Sequence, residues 1–114
     1  MTNRVSIKYM GFWDVPRIFI VRYLGQNYLF SSPFDEALDD YPDSYKVYLL
    51  PDIQEHELPK DWTTLVAKAT RFLCEVPVSR VQFDATLRQT IDSGILDEIS
   101  PRQAAVSEPG RRVG

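Results

Sequence analysis

The sequence predicts an α+β domain: an antiparallel sheet of about four N-terminal strands packed against one or two C-terminal helices, followed by a flexible C-terminal tail. Three observations carry that expectation. Residues 4–31 alternate with a period of two on both sides of a glycine turn. Residues 44–50, SYKVYLL, form a further apolar run closed off by proline. Residues 62–73 place apolar side chains at helical spacing.

The first strand is RVSIKYM, with Val5, Ile7 and Tyr9 on one side and Arg4, Ser6 and Lys8 on a wet side. Gly11 and Pro16 interrupt it in GFWDVP. In RIFIVRYL, Ile18, Ile20 and Leu24 share one face and Phe19, Val21 and Tyr23 the other, so this strand should be central and covered on both sides. Gly25-Gln26 suits a two-residue type II′ turn, which returns the chain as NYLFSS. Pro33 ends that strand, and the acidic stretch FDEALDDYPD follows. SYKVYLL is the fourth strand, with Tyr45, Val47 and Leu49 opposite Lys46, Tyr48 and Leu50, and Pro51 closes it.

The polar segment DIQEHELPK reads as a connector. A helix is expected from about Pro59–Asp61, with Asp61 as its cap and Trp62, Leu65, Val66, Ala69, Phe72 and Leu73 as one stripe, until Pro77 stops it. Residues 78–83 are ambiguous: their alternation favours a short strand, while Ser79 and Gln82 resemble a capping box. Asp84 is expected to cap a second helix through Ser93, with Phe83, Leu87 and Ile91 inward and Gly94 ending it in the left-handed conformation. ILDEIS can add a helical turn. Residues 1–99 then form one globular domain, and residues 100–114, with two prolines and two glycines, form a disordered tail.

At 114 residues, 44% apolar and 25% charged, the chain is long enough to bury a core of its own. Its longest apolar runs, Ile18–Val21 and Val47–Leu50, are far too short to span a bilayer, so no membrane contact is expected. The N-terminus lacks an apolar core and a cleavage site, so no signal peptide is expected either. The single cysteine excludes an intrachain disulfide and a multi-thiolate zinc site, and leaves a cytoplasmic setting as the expectation. The net charge of −3 is unevenly placed. Residues 1–32 carry Arg4, Lys8, Arg17 and Arg22 against Asp14, whereas residues 33–61 carry nine acids against Lys46 and Lys60. That balance argues against a nucleic-acid binder.

The functional expectation is a small non-enzymatic protein-interaction module. Its partner-binding residues are Asp35, Glu36, Asp39, Asp40 and Asp43 with Tyr41 among them, together with Phe12 and Trp13 on a neighbouring loop. Phe34 and Leu38 are also interleaved with the acids. Two alternatives stand beside it. A metal-assisted or cysteine enzyme would use Asp35, Asp39, Asp43 and His56, or Cys74. A calcium loop counted from Asp39 fails, however, because Ser44 and Leu50 occupy its glycine and closing-glutamate positions. Single-stranded nucleic acid would use Arg17, Phe19, Arg22, Tyr23, Tyr28 and Phe30 on a sheet face. No catalytic residue, metal ligand or cofactor is assigned.

Overall fold

Period-two sequence pays off in the N-terminal half as strands, and the computed structural model, which describes residues 4–12 and 14–99, extends the same habit much further along the chain. The strands are β1 (Arg4–Phe12), β2 (Pro16–Tyr23), β3 (Gln26–Ser31), β4 (Ser44–Leu50), β5 (Arg71–Pro77) and β6 (Thr90–Asp92). All adjacent pairs are antiparallel, and the sheet order is β5-β4-β3-β2-β1-β6. The first five strands are a meander, and β6 returns to the free edge of β1, where Ile91 lies opposite Val5. One α-helix, α1 (Ser93–Ile99), and short 3-10 segments at Glu55–Glu57, Trp62–Lys68 and Val78–Arg80 complete the described residues. The fold is therefore mostly β, which corrects the expected four strands against C-terminal helices.

Both faces of β2 are apolar, as its sequence requires, and each face receives its own cover. On one face Phe19, Val21, Tyr28, Phe30, Tyr45 and Val47 pack with Val76, Val81, Ile91, Ile95 and Leu96. Phe19 stacks on Phe30 at 4.6 Å between centroids, and Tyr45 meets Phe19 edge-on at 5.3 Å. Burial raises the Tyr45 phenol pKa, so the hydroxyl stays protonated, and it donates to the Pro16 carbonyl at 2.6 Å. Helix α1 closes this face: Tyr23 donates to Asp97, and Arg80 pairs with Glu98. On the opposite face Ile18, Leu29 and Leu50 are covered by Trp62 and Leu65 of the long β4–β5 connection. Each such buried side chain contributes about 1.5–3 kcal/mol.

That connection departs from the expected helix. Asp61 does cap a helical segment, accepting from the Thr63 amide at 3.0 Å, and Trp62, Leu65, Val66 and Ala69 do form its inward stripe. The segment is 3-10 and ends at Lys68, because Thr70 donates to the Leu49 carbonyl at 2.8 Å and starts β5 there. An open β4 edge would leave a row of backbone groups unpaired, and RFLCEVP, rich in β-formers, fills it. Phe72, counted in the stripe, is instead on β5 and 54% exposed. The expected second helix is absent for a similar reason. Ile91 is fully buried in β6, while Leu87 is 60% exposed on the loop before it. Asp84 caps that loop, its carboxylate accepting from the amides of Leu87, Arg88 and Thr90. Residues 78–83 form neither alternative fully: Val78–Arg80 is 3-10, and Phe83 bridges to Ile91. Gly94 sits in the first turn of α1 and does not terminate a helix. The tail expected at 100–114 lies outside the described residues.

The β2–β3 hairpin is present with a different turn. Tyr23 pairs with Gln26, so Leu24 and Gly25 are the central residues, with φ of 52° and 79°. Positive φ at both positions marks a type I′ turn, not the expected II′. Leucine pays a steric cost there of about 1–2 kcal/mol. Leu24 is 49% exposed, so little packing offsets it. Leu24→Asn is expected to raise stability by about 1 kcal/mol, read as a higher urea midpoint at unchanged m. Gly25→Ala, which meets no atom within 4 Å, should lower it by a similar amount through backbone strain alone.

Candidate functional site

The acidic stretch leaves β3 at Ser32 and rejoins the sheet at Ser44 as a tight, projecting turn. Asp35 and Asp40 bridge across it: the Asp35 amide donates to the Asp40 carbonyl at 2.9 Å, and the Asp40 amide donates back at 3.4 Å. Inside the bridge the Leu38 amide donates to the Asp35 carbonyl and the Asp39 amide to the Glu36 carbonyl. The Asp35 carboxylate accepts from the Ala37 amide at 2.9 Å, an Asx-type closure. Asp39 takes φ of 54°, a conformation that aspartate tolerates better than most residues. The Asp40 carboxylate accepts from the Tyr41 amide at 2.7 Å.

The neck of the turn is held by Arg17. Its guanidinium is almost fully buried and donates to the Pro42 carbonyl at 2.8 Å and to Ser32 Oγ at 3.2 Å. It lies 4.7 Å from the centre of the Tyr41 ring, which in turn meets Phe34 edge-on at 5.4 Å. Asp14 grips the same guanidinium with both carboxylate oxygens, at 2.7 and 2.8 Å. Desolvation works to raise the Asp14 pKa, but the Arg17 hydrogen bonds outweigh it and hold the carboxyl below its ordinary range. A signal for Arg17 was present in the sequence: it shares a strand face with Phe19 and Val21, where a cation needs several partners to be buried.

The turn presents Glu36, Asp39, Asp40 and Asp43 to solvent, with Asp35 half-buried against its own backbone. Phe34 and Leu38 stand among them, 48% and 61% exposed. A shallow groove of about 660 Å³ runs from Phe34 and Leu38 along the turn to Lys46 and Tyr48 of β4. The helical alignment of Asp35, Asp39 and Asp43 considered for a cation does not form, and among the described residues no three His, Cys, Asp or Glu side chains are grouped as a metal would require. Tyr41 is half-buried between Arg17 and Phe34, so it supports the turn. Phe12 ends β1 opposite Pro16, and Trp13 lies outside the described residues.

The residues of the other two readings are scattered. His56 is exposed on the short 3-10 segment Glu55–Glu57. Cys74 is half-buried in β5, and burial pushes its thiol upward, away from the thiolate that a nucleophile needs. Phe19, Tyr28 and Phe30 are fully buried, so none of these three rings offers a face to a base, while Tyr23 is half-buried and donates to Asp97 and Arg22 is exposed. No helix among the described residues is long and apolar enough to cross a membrane. Comparison with protein-family models, curated proteins and solved structures finds no match.

Two measurements follow from this geometry. Arg17→Met removes the guanidinium donor from the Pro42 carbonyl and Ser32, leaving only the long Ser32 Oγ contact to that carbonyl, and is expected to cost about 2–3 kcal/mol in urea unfolding and to speed amide exchange at Asp35 and Asp40. The second concerns pH. Hydrogen bonds from the Thr90 amide, and from those of Arg88 and Leu87, lower the Asp84 pKa to about 2 from an ordinary 3.8, and Asp14 is shifted the same way. A depressed carboxyl stabilises the fold above its unfolded pKa and loses that contribution as pH falls through the folded value. Stability should therefore drop between about pH 4 and pH 2, and Asp84→Ala should be less stable at pH 6 and lose less over that interval.

Proposed function

We propose that this chain is a non-enzymatic protein-interaction module whose 34–43 turn engages a basic surface on a protein partner. The observation that carries the reading is the combination on one rigid projection of four exposed carboxylates, Glu36, Asp39, Asp40 and Asp43, with exposed Phe34 and Leu38. Charge of one sign steers encounter and sets salt dependence, while apolar anchors slow dissociation. The turn is pre-ordered by its own bridge and by Arg17, so little conformational entropy remains to be lost on binding. A cytoplasmic setting fits the single cysteine, which would stay reduced there.

The triple variant Asp39→Asn, Asp40→Asn, Asp43→Asn tests this cleanly. Asparagine accepts the left-handed conformation at Asp39 and keeps the Asp40 acceptor, so the turn should persist. With a partner captured from the native host, the variant is expected to associate at least about tenfold more slowly at low salt and to show a flatter salt dependence. Leu38→Ala should act mainly on dissociation. A partner held equally well by wild type and triple variant would remove the basis for the proposal.

A further inference from the structure

The cover over the second sheet face stops short of its β4–β5 side. Trp62 and Leu65 seal Ile18, Leu29 and Leu50, and Val66 stands at the margin, half-buried. Beyond it, Tyr48 and Phe72 lie opposite each other in the ladder and meet edge-on at 5.4 Å, with Phe72 exposed. From Tyr48 and Val66 the groove of about 660 Å³ runs to Phe34 and Leu38 of the acidic turn. Five large apolar side chains are exposed among the described residues: Leu24, Phe34, Leu38, Phe72 and Leu87. Phe34 and Leu38 line this one groove, and Phe72 adjoins it through Tyr48. A sheet face left to water carries polar side chains, so this gathering of apolar groups marks an interaction surface.

The charge of the groove is one-sided. Lys46 stands opposite Glu75 in the ladder, and both line the groove, so these two offset each other in net charge. Glu75 also accepts from the Ser44 hydroxyl. Asp35 and Glu36 line the turn side and have no cationic partner among the described residues. Asp39, Asp40 and Asp43 are exposed on the same turn. The electrostatic complement of this surface is a cationic segment that also carries apolar side chains.

The backbone around the groove selects the shape of that segment. β4 is paired on both sides, by β3 and by β5. β5 is an edge strand, but its ladder slips between Val47 and Tyr48, which leaves Leu73 as an extra residue, and it ends on Pro77, which has no amide to donate. An extended partner would therefore meet an irregular edge, whereas a helix brings its own backbone already bonded and needs only side-chain contacts. We infer that the groove receives a basic amphipathic helix of a partner protein, its apolar stripe laid on Leu38, Tyr48, Val66 and Phe72 and its Lys or Arg side chains facing Asp35 and Glu36. Apolar anchors at helical spacing in a groove of this kind are an established mode of peptide recognition. The inference rests on the reading of the chain as an interaction module and adds the partner's chemistry to it.

Three peptides of about 18 residues are suitable probes for titration into the isotope-labelled full chain, followed through methyl and aromatic NMR signals. The first is built of leucine and lysine with the leucines on one helical face. The second has the same residues reordered so that no helical face is apolar, and the third replaces each lysine by glutamate. The first is expected to give saturable shifts concentrated at Leu38, Tyr48, Val66 and Phe72, with the second at least about fivefold weaker and the third at least about tenfold weaker. Phe72→Ser should weaken the first peptide at least about fivefold, and Leu38→Ser on the opposite wall replaces it should that variant fold poorly. The Asp39→Asn, Asp40→Asn, Asp43→Asn variant should weaken it as well. Weakening by that triple variant but not by Phe72→Ser or Leu38→Ser overturns the groove and leaves the turn's role standing, whereas no effect of the triple variant removes the turn's role and the inference with it. The inference is also overturned by an absence of saturation up to about 1 mM, by shifts dispersed over the whole molecule, or by the reordered peptide binding as tightly as the first.

Discussion

A strand that is apolar on both faces cannot be finished by one layer of anything. β2 and β3 place Phe19, Val21, Tyr28 and Phe30 on one side and Ile18 and Leu29 on the other, and all six are buried. Leaving either side wet would forfeit about 1.5–3 kcal/mol for each large side chain. The rest of the chain is arranged to meet that demand twice. The β4–β5 connection spreads over one face, and the loop, β6 and α1 that follow β5 close the other. Among the described residues helical structure is scarce because residues 51–99 serve as cover and as edge strands, in pieces too short for an independent helix.

The same economy of placement explains Arg17. It occupies the register of the buried face at the end of the sheet, where a hydrocarbon side chain would simply pack. Its ion pair with Asp14 is partly solvated, the aspartate side chain being 57% exposed, and pairs of that kind contribute only about 0.2–1 kcal/mol. The stronger effect comes from charge-assisted hydrogen bonds to the Pro42 carbonyl and Ser32, two groups at the neck of the acidic turn that are otherwise joined only by a long Ser32 Oγ contact to the Pro42 carbonyl at 3.4 Å. The N-terminal basic segment and the acidic segment therefore do meet, at this neck and at Arg22–Asp52, but the tip of the turn keeps its charge.

What the sequence disclosed follows from which forces are local. Alternation in RVSIKYM and RIFIVRYL and the return through Gly25 are decided within a few residues, and those strands are where the pattern puts them. The Asp61 cap and the inward set Trp62, Leu65, Val66 and Ala69 were legible for the same reason. The fate of residues 70–92 was not, because it depends on distant edges. RFLCEV becomes a strand only because β4 offers it a partner, and Ile91 is drawn to β1 across more than eighty residues of chain. Asp84 showed the right chemistry with the wrong consequence: a carboxylate that collects amides starts a helix or closes a loop with equal local logic, and the demand of β1 for a neighbour selected the loop. At the candidate site, the acidic run could be read as a connection after a strand, but its internal bridge and its buried arginine clamp could not be read from spacing.

The two ends of the sheet are finished in different ways. At one end the charged turn is closed by its own Asp35–Asp40 bridge and anchored at its neck by Arg17. At the other, the cover is tied to the strands by Arg22 and Asn27 before it reaches its own apolar anchors, Ile53, Leu58, Trp62 and Leu65. Both features arise from a cation standing on a strand that is otherwise apolar, Arg17 on one face of β2 and Arg22 on the opposite face near its far end. Each would weaken the strand if strand packing were the only demand upon it. Each instead fixes the start or finish of a connection that the sheet's own ladder does not hold.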